Sequence, residues 1–251
     1  MKLSLVLPVY NEETNIQKGV LDKIGNYTAS NPDIIEVILV DDGSNDESRS
    51  VIKSKYLPEF KKFKLIENKH HGKAFAVITG IKKAVGEYVM FSDIDLATPI
   101  EELEKLIQQA SGGYEIVIGS RDNQRQGAPF LRQLMAKGFI YIRDFLISLD
   151  GIHDTQCGFK LFNRGAALKI IDRLHVFKLE RDVSGSSVSA GFDLEFLFMA
   201  SRLGFKIKEV PVEWRHVETK NVNFLRDSVE TMKDIMTIKY YDLAGKYTKW
   251  S

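Results

Sequence analysis

The sequence of 251 residues has little of several features that mark common classes of protein. Its single cysteine, Cys157, excludes an internal disulfide and indicates a reducing compartment. No apolar run approaches the roughly 18 residues of a membrane-spanning helix. The apolar run at the N-terminus stops at Pro8 and is too short for a signal peptide. The formal net charge of +1 gives no bias toward nucleic acid as a partner.

Apolar residues make up 44% of the chain and alternate between strand and helix patterns. Short apolar runs, each followed by helical spacing, predict an α/β fold with a single mostly parallel, doubly wound sheet and helices on both faces. Pro211 marks the last strand as an edge strand or a bulged strand. The predicted strands are Leu3–Val9, Glu36–Val40, Lys64–Glu67, Tyr88–Ser92, Glu115–Gly119, Phe159–Phe162 and Lys206–Trp214.

The second half of the chain is less regular than the first. Its predicted helices are Pro129–Leu149, Arg164–Leu174, Phe192–Leu203 and Phe224–Leu243. We expect a catalytic domain over residues 1–222 and a C-terminal helical extension over residues 223–251.

Polar clusters follow four of the predicted strands. They are Tyr10–Glu12, Asp41–Ser44, Asp93–Asp95 and Ser120–Arg121. In doubly wound sheets, ligands bind beyond the carboxyl ends of the parallel strands. Because all four clusters fall at such ends, they predict one site on one rim of the sheet.

Asp93 and Asp95 stand two residues apart after the strand Tyr88–Ser92. Side chains two apart on an extended segment point the same way. Paired carboxylates suit a hard cation such as Mg²⁺ or Mn²⁺, especially one that also binds a substrate's phosphates. Capping of the next helix is the alternative, and these residues alone leave both interpretations open.

Seven segments, in this order, resemble the family 2 inverting glycosyltransferases. The likeness covers roughly residues 1–220 and favours the branch of dolichyl-phosphate glucose and mannose synthases and their bacterial polyprenyl-phosphate relatives. It implies a GT-A type fold. The segments are LPVYNEE at Leu7–Glu13, VDDGSNDES at Val40–Ser48, HGKAFAVITGI at His71–Ile81, GEYVMFSDIDLATP at Gly86–Pro99, IGSRD at Ile118–Asp122, DTQCGFKLF at Asp154–Phe162 and EVPVEW at Glu209–Trp214.

The resemblance implies roles for the strand-end residues on the donor side. Asp93 and Asp95 would be the DxD pair, which binds a Mg²⁺ or Mn²⁺ ion that bridges the donor's diphosphate. The chain has Ile94 where the family often has alanine, a change that leaves both acids in place. The residues implied in binding the nucleotide sugar are Pro8, Tyr10, Glu12, Asp41, Asp42, Lys73 and Asp93.

The acceptor implied by the resemblance is a polyprenyl or dolichyl phosphate. Such a monophosphate is largely dianionic at pH 7 and attacks without a general base, so the enzyme must supply positive charge. Arg121 and Arg132 would line the acceptor-phosphate site, and Arg215 and Lys220 would lie on a loop that closes over the substrates. The catalytic set is therefore Asp93, Asp95, Arg121 and Arg132.

The expected reaction is metal-dependent, inverting transfer of a hexose from a UDP- or GDP-sugar to the lipid phosphate. One alternative is a soluble family 2 enzyme that acts on a glycan or protein hydroxyl. That reaction needs a general base, which Asp193 or Glu195 would supply, although both acids also suit a structural role. A nucleotide-sugar-binding protein without turnover is a further alternative.

The lipid acceptor implies peripheral contact with the cytoplasmic face of a membrane. Two segments are candidates for this contact. The helix Pro129–Leu149 has an apolar stripe flanked by basic residues, a pattern that suits either a membrane interface or a protein core. The segment Ile235–Tyr247 suits contact with a membrane or with another subunit of a homo-oligomer.

Overall fold

A computed structural model describes residues 1–121, 143–144, 146–149, 151–177, 190–215, 217 and 224–247. The strands in these residues are β1 (Leu3–Val9), β2 (Ile34–Asp41), β3 (Phe63–Glu67), β4 (Tyr88–Ser92), β5 (Ile116–Arg121), β6 (Phe159–Asn163) and β7 (Ile207–Val212). They form one sheet in the order β3-β2-β1-β4-β6-β5-β7. Only β6 runs antiparallel to its neighbours, which confirms the predicted mostly parallel sheet.

The helices lie between the strands, as the alternation predicted. They are α1 (Glu13–Gln17), α2 (Val20–Ser30), α3 (Ser48–Val51), α4 (Leu57–Glu59), α5 (Lys73–Lys83), α6 (Leu103–Ser111), α7 (Arg164–Ile171), α8 (Ala190–Arg202) and α9 (Phe224–Leu243). Gly19, with φ at 80°, separates α1 from α2. A π-helical turn, Ile52–Tyr56, joins α3 to α4.

The core has two parts, one on each face of the sheet. Leu3, Leu5 and Leu7 of β1 point to the face that α1, α2 and α6 cover. Val6 points to the opposite face, where α5, α7 and α8 pack. Because successive strand residues alternate between faces, a strand covered on both sides must be apolar throughout. This arrangement confirms the doubly wound sheet.

The last strand and the last helix agree with their predicted places. β7 is an edge strand, and its Pro211 lies opposite Ser120 of β5. Ile235 and Ile238 of α9 belong to the same core cluster as α8. The predicted domain boundary at residue 222 lies outside the described residues and stays a prediction.

Most of the predicted helix Pro129–Leu149 also lies outside the described residues, but its C-terminal end is visible. Arg143, Ile147 and Leu149 are buried there. The Arg143 guanidinium donates to the Asp144 carboxylate and to the backbone oxygen of His153. This end of the segment is therefore core and not lipid-facing surface. Within the described part of the chain, no helix has the length and apolarity needed to cross a bilayer.

Candidate active site

Asp93 and Asp95 lie in the turn that follows β4, which ends at Ser92. The Asp93 amide donates to the backbone oxygen of Gly158 at 3.0 Å. The Asp95 Oδ1 atom accepts from the Ala97 amide at 3.0 Å, and Ile94 is buried in the core. The two acids are therefore placed by a hydrogen-bonded turn. That their side chains point the same way stays a prediction.

The carboxylates of this turn carry more negative charge than their described partners balance. Lys73, the first residue of α5, places its Nζ atom 2.5 Å from Asp93 Oδ1. Burial raises the pKa of Glu12 to about 7, and the negative charges of Asp95 and Asp93 raise it further. A hydrogen bond from Asn15 acts in the opposite direction. Burial and the charge of Asp93 also raise the pKa of Asp95. Lys73 thus pairs with one of three carboxylates that repel one another.

This charge distribution fits a divalent cation. Mg²⁺ in nucleotide sites is commonly held by one or two carboxylates together with the substrate's phosphates. Asp93 and Asp95 would supply the two carboxylates, and a cation would relieve the repulsion that raises the pKa of Asp95. In the part of the chain that the structure describes, no group of three or more His, Cys, Asp or Glu side chains is arranged to hold a metal.

Asp42 organises the segment that leads into α5. Its Oδ1 atom accepts from the His71 amide at 3.0 Å, and its Oδ2 atom accepts from the Gly72 amide at 2.8 Å. The His70 ring Nδ1 lies 2.8 Å from Asp42 Oδ2, and this ring stacks on Tyr10 with centroids 4.1 Å apart. Asp42 therefore positions the residues just before Lys73 and, through His70, the ring of Tyr10.

Asp41 is fully buried and engaged within the protein. Its Oδ2 atom accepts from Arg49 Nε at 2.8 Å and Nη2 at 2.5 Å, and its Oδ1 atom accepts from the Ser44 amide at 3.3 Å. Pro8 lies in β1 opposite Val40 of β2. The predicted contacts of Asp41, Asp42 and Pro8 with a nucleotide sugar stay predictions.

Arg121, the last residue of β5, lies at the same rim and is paired with Asp154. Its Nε and Nη2 atoms each donate to the Asp154 carboxylate at 2.7 Å. Burial alone would raise the pKa of Asp154, but the Arg121 guanidinium holds it below its usual range. The amides of His153 and Asp154 donate in turn to Glu209 at 2.8 Å. Arg121 is therefore a fixed, partly neutralised cation.

Arg215 joins the loop after β7 to the turn of Asp93 and Asp95. Its amide donates to the Ala97 backbone oxygen at 2.8 Å. Its guanidinium is exposed and pairs with Glu213. The structure thus brings Arg215 to the site, whereas Arg132 and Lys220 lie outside the described residues.

Asp193 and Glu195, the two candidate bases on α8, are both engaged. Asp193 Oδ1 accepts from the Nζ atom of the buried Lys160 at 2.7 Å. Glu195 is fully buried and accepts from three consecutive amides, those of residues 175–177, and from the Tyr247 hydroxyl. Burial and the Glu195 charge raise the pKa of Tyr247. This geometry favours the structural role for Glu195.

Sequence reasoning missed several residues that shape the site. They are Arg49, His70, Asp154, Gly158 and Lys160. The one local signal was Lys160, a lysine inside the otherwise apolar run FKLF, because a buried ammonium group needs an anionic partner. His70, Asp154 and Gly158 contribute through contacts with residues far along the chain, and Arg49 meets Asp41 eight residues away; no local pattern predicts these contacts.

Comparisons with known proteins show to which family the chain belongs. The family model for glycosyl transferase family 2 matches residues 4–171. The chain is 30% identical over 265 residues to a dolichyl-phosphate beta-glucosyltransferase of Saccharomyces cerevisiae, covering 98% of this chain and 76% of the yeast protein. It is 31% identical over 266 residues to the Homo sapiens protein of the same name, covering 98% and 77% of the two chains.

Solved structures show the same fold at lower identity. One is glucosyl-3-phosphoglycerate synthase from Mycobacterium tuberculosis, crystallised with Mn²⁺, UDP-glucose and phosphoglyceric acid. It matches with a TM-score of 0.65 at 17% identity, over 95% of this chain and 80% of that one. Mannosyl-3-phosphoglycerate synthase from Rubrobacter xylanophilus matches with a TM-score of 0.63 at 16% identity, over 100% and 77%. With its GT-A fold, this chain belongs to the family 2 glycosyltransferases.

Proposed function

We propose that this glycosyltransferase moves a glucosyl residue from a nucleotide sugar to dolichyl phosphate or a related polyprenyl phosphate. The transfer inverts the anomeric configuration and uses Mg²⁺ or Mn²⁺. The names of the relatives that match 98% of the chain support the glucosyl group and the lipid phosphate acceptor. The Mn²⁺ and UDP-glucose bound to a structural neighbour support the metal and the donor class.

The contacts of the two candidate bases, Asp193 and Glu195, are the observation that supports a phosphate acceptor. A hydroxyl acceptor needs a general base, but Asp193 is held by Lys160, and Glu195 is buried among four donors. A phosphate monoester is already largely dianionic at pH 7 and needs no base. The geometry therefore supports a phosphate acceptor over the glycan or protein hydroxyl of the alternative.

The donor's diphosphate would lie beside the turn after β4. Asp93 and Asp95 would hold the cation, which offsets negative charge on the departing nucleoside diphosphate. The Lys73 ammonium group adds a second positive charge beside Asp93. Tyr10 and Glu12, at the end of β1, would contact the nucleoside, with Tyr10 supported from one face by His70.

The acceptor phosphate would lie on the side of β5 and β7. Arg121 is held there by Asp154, and Arg215 is exposed beside the turn of the acids. The predicted contributions of Arg132 and Lys220 fall outside the described residues. Binding one anion beside another requires this concentration of positive charge, and correct placement of the two reactants supplies much of the rate.

A lipid acceptor places the enzyme at a membrane, and we infer peripheral contact at the cytoplasmic face. Helix α9 supports this inference, because it exposes apolar side chains along one side: Val229, Met236, Tyr240 and Leu243. Three- and four-residue spacings from Met236 to Leu243 keep these side chains on one stripe of the helix.

The test is a panel of UDP- and GDP-sugars with a short polyprenyl phosphate and Mn²⁺ or Mg²⁺. Mass spectrometry would detect the glycolipid, and NMR would give its anomeric configuration. We expect transfer from UDP-glucose that stops with EDTA. Absence of glycolipid from every donor would overturn the proposal.

The Asp193→Asn variant tests the alternative in which the acceptor is a glycan or protein hydroxyl. A general base contributes about 10²–10⁴-fold to a rate. We expect transfer to the lipid phosphate to remain within about tenfold of wild type, since Asp193 is not the base. A larger loss in a variant that stays folded, together with glycosylation of a hydroxyl acceptor by the wild type, would favour the alternative.

A further inference from the structure

Gly158 lies directly against the carboxylate of Asp93. Its backbone oxygen accepts the Asp93 amide, and the adjacent pair Ser92 and Phe159 fixes the register of β4 against β6. A Cβ atom added at Gly158 would lie 2.5 Å from Asp93 Cγ, 2.7 Å from Oδ1 and closer still to Oδ2. Carbon atoms in proteins do not approach this closely without displacement, so any other residue at 158 must move the Asp93 carboxylate.

The backbone at Gly158 does not itself demand glycine. Gly158 is not among the glycines with positive φ, so its conformation is open to other residues. The requirement is therefore one of space at the Asp93 carboxylate. This separates Gly158 from Gly19 and Gly72, where the backbone is in a conformation that glycine adopts most readily.

The same carboxylate also contacts Lys73. The Lys73 Nζ atom lies 2.5 Å from Asp93 Oδ1 and 5.3 Å from the centre of the Phe91 ring. The Asp93 carboxylate thus lies against both the backbone of Gly158 and an ammonium group. Displacing the carboxylate would change its ion pair with Lys73 and its position relative to Asp95.

We propose that Gly158 is a positioning residue for the metal and diphosphate site: its missing side chain leaves the space that sets the orientation of Asp93. The proposal rests on the proposed function, in which Asp93 and Asp95 hold the cation. It also explains one position of the segment Asp154–Phe162, whose glycine touches neither substrate in the proposed arrangement.

The test is the Gly158→Ala variant, with Mn²⁺ binding measured by electron paramagnetic resonance, with and without UDP. We expect at least a tenfold weaker affinity for Mn²⁺, because one of its two carboxylates is displaced. The matched control is Gly191→Ala in α8, where an added Cβ would meet Asp234 Cγ at 2.7 Å. That variant crowds a carboxylate that is not proposed to hold the cation, so its Mn²⁺ affinity should stay within twofold of wild type.

A double-mutant cycle gives a readout that needs no metal. In the Asp93→Ala background the carboxylate is absent, so adding Gly158→Ala should not lower the melting temperature further in EDTA. In the wild-type background the same substitution should lower it.

The outcomes separate the two proposals. Equal Mn²⁺ affinity in wild type and Gly158→Ala, or an equal melting-temperature loss in both backgrounds, would overturn the role of Gly158. Failure of the wild type to bind Mn²⁺ would instead contradict the metal in the proposed function. The double-mutant cycle would then still decide whether Gly158 sets the orientation of Asp93. If Gly158→Ala alone does not fold, the Gly158→Ala/Asp93→Ala double variant is measured instead, and its folding would show that the contact with the Asp93 carboxylate causes the loss.

Discussion

Two pairs of acids end two strands of the sheet and differ in what surrounds them. Asp41 and Asp42, at the end of β2, are buried, and both carboxylates accept hydrogen bonds from side chains or amides of the protein. Asp93 and Asp95, after β4, are more exposed and repel each other and Glu12, with Lys73 as their nearby cation. The contacts of the first pair stabilise the fold, whereas the second pair carries negative charge that a cation would offset in the proposed function.

This difference teaches that strand-end acids are distinguished by their partners and not by their position. A buried carboxylate with a complete set of donors is stable as an anion, and breaking its contacts destabilises the fold. Carboxylates held close together without enough positive charge are unfavourable in the free protein, and a bound cation relieves them. Substitutions in the two pairs should therefore have opposite effects.

The largest effect is expected for Asp95→Ala. Loss of a metal ligand removes several kcal/mol of transition-state stabilisation, so transfer should fall by about 10³-fold or more. Its melting temperature in EDTA should equal or exceed that of wild type, because a like-charge repulsion is removed. Transfer rates and thermal melts check this, with the exposed Glu101→Ala as control. Retention of a tenth of the activity would contradict the metal role.

Next in size is Arg49→Met, which leaves the buried Asp41 carboxylate without its guanidinium. Breaking one side of a fully buried ion pair costs about 3–5 kcal/mol, and we expect a smaller loss here because the Arg49 side chain is partly exposed and solvent screens the pair. Urea unfolding should show this loss, and Asp41→Asn in the same chain should restore part of it by removing the stranded charge. No loss in the single variant would mean that Asp41 is not stabilised by Arg49.

Asp42→Ala should cost about 1–3 kcal/mol, because the amides of His71 and Gly72 lose their acceptors. The KM for the nucleotide sugar should rise too, since Lys73 follows directly. Asp42→Asn keeps one acceptor oxygen and should lose less stability. Equal losses in the two variants would show that the hydrogen bonds to the carboxylate do not determine the effect.

The smallest effect is the pH dependence of Glu12. Its pKa is raised from 4.5 to about 7 in the folded protein, so folding favours the protonated form. The stabilising contribution is complete below pH 4.5 and is lost as the pH rises through about 7. In EDTA, Glu12→Gln should melt about 2–4 °C above wild type at pH 8 and equally at pH 4. The exposed Glu59→Gln should show no such difference between the two pH values.

The sequence predicted the order of the strands and helices better than the breaks within the helices. The bounds of β1, β4 and α9 agree with the predicted segments, because unbroken apolar runs and helical spacing are local signals. The break at Gly19 and the π-helical turn Ile52–Tyr56 were not predicted, since helical spacing continues across both.

The candidate site was predicted in outline and missed in its contacts. The acids Asp93 and Asp95 and the base Arg121 lie at the predicted strand ends, whereas Arg215 was placed near the site only by the family resemblance. The engagement of Asp193 by Lys160, across 33 residues of chain, has no local pattern. It nevertheless bears on the proposed acceptor, because Lys160 engages one of the two candidate bases.

By itself the sequence determined the class of fold and the rim of the sheet on which the site lies, because hydrophobic alternation sets the strands and parallel strands end on one side. Only the tertiary structure decided which acids are satisfied. Asp42 meets amides 29 and 30 residues away, and the Asp93 carboxylate fits against Gly158, which directly precedes β6. The physical reason is that an ion pair or a steric fit depends on distances in space, which the order of residues along the chain does not fix.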